Sequence, residues 1–390
     1  MALAECAAIE RGKFAHRPRN APEFYGGDIP FVQTGDVTNS GGIISSFSQT
    51  LNERGLAISK MFPKGTLLMT IAANIGDVAE LGFDAACTDS LVAILPKDGL
   101  ISGYLRRYLE FIKPRIHYLA PQNAQKNISV EFLEPLLVLL PPSTEQEKIV
   151  AVFGACDKSI QLQAALVAAK TDRLTALRRK LLFGKQRFPK FGRVKWRRVQ
   201  LSEILRHIFR PVNWSPTEMF RLVSIRRRCG GLFRREDLLG ADYKTTDLHE
   251  IRTGDFLVSK RQVVHGAWAM VTKEFSGCHV SKEYSILVNK APDVLHMPFF
   301  DWLSHEQRMW HLAFLASDGV HREKLIFDSK DFLRHYIELP PTIDEQQRIV
   351  EVLDACDQEI RLLEAELEAL KLQKRGLMQK LLTGDIRVKT

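Results

Sequence analysis

Two triplets in this 390-residue chain have the acid-x-Lys spacing of a metal-dependent nuclease: Asp242-Tyr243-Lys244 and Asp328-Ser329-Lys330. Such a site also needs a preceding strand and an upstream carboxylate, and bare triplets of this kind arise often by chance. No Glu-x-Lys occurs anywhere in the chain. Amino-group methylation would require an Asn/Asp-Pro-Pro-aromatic tetrapeptide and a glycine-rich cofactor loop. The Pro-Pro pairs here, Pro141-Pro142 and Pro340-Pro341, both follow leucine. No phosphate-binding P-loop is present. The six cysteines, at 6, 87, 156, 229, 278 and 356, form no Cys-x-x-Cys pair, so neither a zinc knuckle nor a redox motif is visible. Free thiols are expected, as small buried hydrophobes. The residues therefore describe a binding protein with no catalytic group, metal or cofactor of its own.

The charge points to what it binds. Formal net charge is +9 and the isoelectric point is near 9.2, favouring a polyanionic partner. Residues 143–195 alone carry a net +8. The excess gathers in Arg173, Arg178, Arg179, Lys180, Lys185, Arg187, Lys190, Arg193, Lys195, Arg197 and Arg198. Phosphate attraction with release of counterions explains such a run. With 45% apolar and 26% charged residues, the chain reads as a globular protein of two or three domains. Its start lacks a basic segment followed by an apolar stretch, and no eighteen consecutive residues are apolar. A cytoplasmic protein without a membrane span is expected.

The elements that must position these residues are written twice. Pro141-Pro142-Ser143-Thr144-Glu145-Gln146-Glu147-Lys148-Ile149-Val150 recurs 200 residues later as Pro341-Thr342-Ile343-Asp344-Glu345-Gln346-Gln347-Arg348-Ile349-Val350. The match runs on through Ala155-Cys156-Asp157 and Ala355-Cys356-Asp357 to Leu181-Leu182 with Gly184, against Leu381-Leu382 with Gly384. Proline stops the preceding segment, Ser/Thr or Asp offers a cap, and acids fill the first turn, so each copy begins a helix. Gly184 and Gly384 suit left-handed C-caps. In the second copy Ile349, Cys356, Leu363, Leu370 and Leu377 fall seven apart, with Leu353, Ile360 and Leu367 offset by four. That alternation is a coiled-coil seam. The first copy keeps Ile149, Phe153, Cys156, Ile160 and Leu177 but has Gln163 and Lys170 where the second has leucines.

Four segments follow: domains at 1–142 and 185–341, each succeeded by a helix, at 143–184 and at 342–390. The two domains share spacing more than identity. Gly65-Thr66-Leu67-Leu68-Met69 parallels Gly254-Asp255-Phe256-Leu257-Val258, and Leu91–Leu95 parallels Ile286–Val288. Leu3-Ala4-Glu5-Cys6 echoes Leu201-Ser202-Glu203-Ile204. Glu131-Phe132-Leu133 and Asp331-Phe332-Leu333 each precede an apolar, strand-like stretch, Leu136–Leu140 and Tyr336–Leu339. Short apolar runs punctuated by Gly and Pro predict small α/β domains in tandem, in an α+β chain overall.

In combination these features resemble the specificity subunit of type I restriction–modification systems, the HsdS family. The resemblance rests on the repeated Glu-Gln-x-x-Ile-Val helices, on Leu181-Leu182-Phe183-Gly184-Lys185-Gln186-Arg187-Phe188-Pro189, on Trp196, and on Gly27-Asp28-Ile29-Pro30-Phe31-Val32 with Gly35-Asp36-Val37. It implies two target-recognition domains, each reading half of a split site in double-stranded DNA from the major groove. The two long helices would pack as an antiparallel coiled coil with pseudo-twofold symmetry. Two methyltransferase subunits and further restriction subunits would be its partners. A related bipartite-site (type IIB-like) enzyme is the alternative within the class, and a metal-dependent nuclease the alternative outside it.

Candidate DNA contacts follow from side-chain chemistry and loop position: Arg and Lys pair with guanine edges, Asn and Gln with adenine. In the first domain these are Gln122, Asn123, Gln125 and Lys126, then Asn74 and Gln33. In the second they are Lys260, Arg261, Gln262, His265, His321, Arg322 and Lys324, with Arg226, Arg227 and Arg228 gripping phosphate.

Overall fold

The computed structural model describes all residues except 17, 73, 121–126, 193, 243–245, 320–324 and 389–390. The chain divides into two compact units, Met1–Ala165 with Glu364–Thr390, and Leu166–Leu363.

The first unit is built on a sheet with the strand order Ala7–Arg11, Leu91–Pro96, Leu67–Thr70, Val78–Leu81, Ile43–Ile44. Neighbours are antiparallel except the last pair, which is parallel. Leu67–Thr70 is buried at every position, so it reads as a continuous apolar run rather than an alternating one. The helix Ser102–Leu119 lays Tyr104, Leu105, Leu109, Ile112 and Ile116 into the core, the spacing of one helical face. A second sheet, Gln49–Leu51, Tyr25–Val32, Ala85–Cys87, Met61–Phe62, lies in the same unit.

The second unit repeats the frame. Its main sheet runs Leu205–Ile208, Tyr284–Asn289, Phe256–Ser259, Trp268–Met270, matching the first four strands above in order. Gly65 and Gly254, at φ +88° and +87°, make the same turn into the central strand, a conformation that favours glycine. Their N–H groups donate to equivalent carbonyls, Leu81 and Val271, at 2.8 and 2.9 Å.

One expectation is corrected. Tyr336–Leu339 is a strand, paired with Arg197–Gln200, but Leu136–Leu140 is not. It makes the isolated bridge Ala2–Leu137. Tyr336–Leu339 pairs with Arg197–Gln200 over four residues, whereas the Leu136–Leu140 run is met at Leu136 and Val138 by hydrogen bonds to Leu3 and Met1.

The repeated motifs form helices Ser143–Leu181 and Ile343–Leu382. Within each unit, a segment of one packs antiparallel on a segment of the other. In the first unit Asp157 meets Lys374 at 2.6 Å and Gln163 meets Glu366 at 3.0 Å. In the second, Lys170 meets Glu359 at 2.5 Å. Of the expected seam residues, Ile149, Phe153, Ile349, Leu353 and Ile360 are buried, and Cys156, Ile160, Leu177, Cys356, Leu363, Leu367, Leu370 and Leu377 half-buried. The polar seam positions Gln163 and Lys170 find polar partners across the pair, a device that fixes register. All six cysteines are free.

Ser143–Leu181 is long enough to cross a membrane and contains a window of mean hydropathy 1.2. The helix nevertheless carries Asp157, bonded to both Lys374 and Arg107. Burial alone would push the Asp157 carboxyl up, but these two cations outweigh it and hold it below the usual range.

Candidate nucleic-acid interface

In both units the loop that follows the central strand is joined to the flank of the polar segment where DNA contacts are expected. After Leu67–Thr70, Ala72 bridges Asn127, and Ile128 N–H donates to the Ile71 carbonyl at 3.1 Å. After Phe256–Ser259, the Lys260 carbonyl accepts from Phe327 N–H at 2.9 Å. Gln122, Asn123, Gln125, Lys126, His321, Arg322 and Lys324 themselves lie outside the described residues. Their flanks, at Asn127 and at the hairpin Ser317–Asp318 with Ile326–Phe327, arrive at the same place in each frame.

The second unit brings further candidates together. The hairpin of Val223–Ile225 and Leu232–Arg234 turns through Arg228 and Cys229, both in the left-handed region at φ +57° and +54°. Non-glycine residues there are strained unless neighbours hold them. Two hydrogen bonds do so: Arg228 N–H donates to the His265 carbonyl and Cys229 N–H to that of Gly266, both at 2.8 Å. The arginine turn is thereby fixed against the Lys260–Gly266 loop. Burial pushes the Cys229 thiol up to about 11, leaving it a protonated packing group.

The side chains are then unequal. Arg226 stacks 4.7 Å over the Phe233 ring and donates to the Leu232 carbonyl at 3.2 Å, so it braces its own hairpin. Arg227 and Arg228 are exposed, and neither guanidinium meets a side-chain partner among the described residues. Arg261 pairs with Glu283 at 2.5 Å, with both side chains about half exposed, at 59% and 46%. Such a pair is weak and exchangeable. Lys260 and His265 are half-buried. The Oε1 of Gln262 is buried without a hydrogen-bond partner, while its carbonyl accepts from His265 and Ala267 N–H at 3.0 and 3.2 Å. Gln262 thus closes the turn rather than reaching outward. Burial first, then the positive charge of Lys260, holds the His207 imidazole below its ordinary range.

In the first unit, Asn74 is exposed on the loop after the central strand, and its carbonyl accepts from the Thr70 hydroxyl. Gln33 precedes the short helix Thr34–Asn39; its N–H donates to Asp36 Oδ2 at 2.8 Å and its side chain to Gln49 Oε1 at 3.0 Å.

Two expectations change role. The basic run around the end of the first long helix is not wholly available to phosphate. Arg178 is tied to Glu306 at 2.6 Å, and Arg187 clasps Glu345 through two bonds of 2.8 Å. Asp328, of the nuclease-like triplet, caps the helix Ser329–Leu333 by accepting from Lys330 and Asp331 N–H. Among the described residues no group of three or more His, Cys, Asp or Glu could hold a metal.

Spacing along the chain does not disclose the work done by Glu-Gln in each repeat. The fully buried Gln146 accepts from Ile101 N–H and donates to the Gly99 and Pro141 carbonyls, each at 2.8 Å. Gln346 does the same for His296 N–H and the Val294 carbonyl, also at 2.8 Å. Glu145 is held by Arg387 at 2.6 and 2.8 Å, as Glu345 is held by Arg187. The 200-residue separation of Arg187 and Arg387 is the one sequence signal that could have revealed these clasps.

The architecture is that of two repeated α/β units, each with an antiparallel segment of the two long helices. Residues 7–169 match the family described as the type I restriction modification DNA specificity domain, and the kinship expected from the sequence, with type I specificity subunits, holds. The chain is 32% identical over 145 residues to the type I restriction enzyme MjaIX specificity subunit of Methanocaldococcus jannaschii. It is 31% identical over 98 residues to the putative type I restriction enzyme MjaX specificity subunit of the same organism. These matches take in 36% and 25% of this chain and span only 33% and 23% of the relatives' length. Over nearly the whole chain the fold is that of solved proteins of this kind. The S subunit from M. genitalium aligns at TM-score 0.56 and 15% identity, covering 98% of this chain and 95% of that one. The HsdS subunit from Thermoanaerobacter tengcongensis aligns at 0.56 and 18%, covering 99% and 96%. A chain from a structural study of type I R-M complex assembly and conformational transition aligns at 0.61 and 18%, covering 99% and 97%.

Proposed function

We propose that this chain is the DNA-reading specificity subunit of a type I restriction–modification complex, with each of two domains, 1–142 and 185–341, reading one half of a bipartite target. The observation that supports this most strongly is the duplicated junction between the central-strand loop and the polar segment, filled with different side chains in the two copies. In the second domain Lys260, Arg261, Arg227 and Arg228 supply base and phosphate contacts; in the first, Gln33, Asn74 and the 122–126 segment do. Two methyltransferase subunits and the restriction subunits of a cytoplasmic complex are its protein partners. It supplies recognition, and they supply chemistry.

The test is reconstitution. The purified full chain binds duplex DNA with an affinity that falls steeply with salt. It neither methylates nor cleaves when given S-adenosylmethionine, ATP and magnesium. Methylation appears on adding the methyltransferase subunits. Activity of the isolated chain, abolished by Asp242→Asn or Asp328→Asn, would overturn the proposal.

A further inference from the structure

The helix leading into each polar segment ends on two apolar side chains that the fold leaves in solvent. Ser102–Leu119 closes with Ile116-His117-Tyr118-Leu119, followed by Ala120. Gln307–Leu315 closes with Leu312-Ala313-Phe314-Leu315, followed by Ala316, 196 residues further on. Ala120 N–H donates to the Ile116 carbonyl at 2.9 Å and Ala316 N–H to that of Leu312 at 3.1 Å, so the two last turns are closed alike. Ile116 and Ala120 are buried, as are Ala313 and Ala316. That burial turns the positions between them outward: Tyr118 and Leu119 are 84% and 48% exposed, Phe314 and Leu315 44% and 55%. Apolar residues scattered singly over a surface need no explanation. An aromatic–leucine pair kept at one place in two otherwise dissimilar helices does.

Each helix end is fastened to the loop that follows the central strand. In the first unit Lys113 bonds Asp77 at 2.5 Å, three residues past Asn74. In the second, the consecutive N–H groups of Phe327 and Asp328 donate to the Lys260 and Ala316 carbonyls at 2.9 and 2.8 Å. A basic side chain stands three residues before each ring, on the same helical face. It is exposed Arg115 before Tyr118, and exposed His311 before Phe314, whose rings stack at 6.5 Å and 16°. These neighbours suit a polyanion, and duplex DNA offers apolar surface between its phosphates in the faces of deoxyribose. Thymine methyls are apolar too but depend on sequence. Two units that read different half-sites share this pair, so it meets what every half-site has in common, the sugar–phosphate edge.

We infer that Tyr118-Leu119 and Phe314-Leu315 pack on the deoxyribose edge of the bound duplex, one pair for each half-site, with Arg115 and His311 turned to the neighbouring phosphates. The inference rests on the DNA-reading function and adds to it a grip that carries no base preference. Affinity belongs to the helix ends, and selectivity to the loops beside them.

The test titrates the full chain and its variants with a library of randomised duplexes and sequences the bound pool. Tyr118→Ala and Phe314→Ala each weaken binding about tenfold, the order expected for withdrawing one aromatic side chain from an interface. Their bound pools keep the base preferences of the parent chain. The slope of log affinity against log salt is unchanged as well, because no phosphate contact is lost, whereas Arg115→Ala reduces it by about 0.9. Tyr118→Phe and Phe314→Tyr retain full affinity, each being the ring that the other unit uses. All three positions are exposed, so melting stays that of the parent. Undiminished binding by either alanine variant would overturn the inference while leaving DNA reading in place, as would a base preference altered in one half-site. So would alanine variants that keep their DNA affinity but no longer hold the methyltransferase subunits, which would make the pairs protein contacts. A parent chain that binds no duplex would overturn both.

Discussion

The two units use one frame and fill it differently, most visibly where the helix following the main sheet begins. Gln146 fixes the start of that helix in the first unit through Ile101 N–H, and Gln346 fixes it in the second through His296 N–H. Five residues on, the first unit has Arg106 and Arg107, bonded to Glu110 at 2.5 and 3.0 Å and, through Arg107, to Asp157. The second has Asp301, which accepts from Met270 N–H at 2.9 Å, and Trp302, which donates to Asp354 at 2.7 Å. The first helix then runs unbroken, Ser102–Leu119, while the second is interrupted as Met297–Ser304 and Gln307–Leu315. The Ser304 carbonyl at the break accepts from the indoles of Trp268 and Trp310 at 3.1 and 2.9 Å. Groups that hold the frame recur at a spacing of 200; groups beside it are free to differ.

The largest expected effect distinguishes the two Arg–Glu clasps. Glu345 is fully buried, so Arg187→Ala strands a carboxylate and costs about 3–5 kcal/mol. Arg387, at 63% exposure, leaves Glu145 in reach of water when removed, and Arg387→Ala costs less. Calorimetric melting of the two variants measures this. Equal losses would break the asymmetry.

Next come Gln146→Leu and Gln346→Leu, each costing about 2–3 kcal/mol by leaving buried backbone groups unpaired, slightly more for Gln146 with its three backbone partners against two. Urea titration compares them, and a marked inequality would mean the frame is not truly duplicated.

A smaller effect depends on pH and belongs to the second unit. Burial pushes Asp301 up to about 6 and His305 down to about 4. Asp301 binds its proton more tightly folded than unfolded, so its contribution to stability grows as pH falls from 6 toward its ordinary value. His305 binds its proton more weakly folded, so its contribution is lost as pH falls from 6.5 to 4. The two oppose across one window and leave little net dependence. Asp301→Asn exposes the histidine, and stability should then fall on acidification by up to about 1.4 kcal/mol per pH unit. His305→Asn should show the reverse slope. Urea melts at pH 7, 5.5 and 4.5 read both; two flat profiles would contradict the burial of these groups.

The smallest effect is that of Arg261→Ala. Its pair with Glu283 is exposed and adds little to folding, so melting should be unchanged although DNA reading is altered. A large loss of stability would reassign Arg261 to the frame.

Much of the frame was legible because repetition amplifies it. The two long helices and their seam follow from matching residues 200 apart, and the glycine turns and central strands from matching residues 189 apart. The roles of Gln146, Gln346, Arg187 and Arg387 were not legible, since a buried amide clamp and an exposed polar residue share the same letter. The Leu136–Leu140 run shows the same limit: its apolar letters resemble those of Tyr336–Leu339, yet only the latter forms a four-residue ladder.

The central claim, one chain reading two half-sites, is tested most directly by mapping methylated bases in DNA from cells supplying this chain and its methyltransferase. The account predicts a motif in two parts with a fixed gap. It also predicts that alanine at Arg227, Arg228, Lys260 and Arg261 together relaxes base preference in one part only, by about 1–3 kcal/mol for each base-reading side chain removed. A single uninterrupted motif, or equal blurring of both parts by that variant, would contradict it.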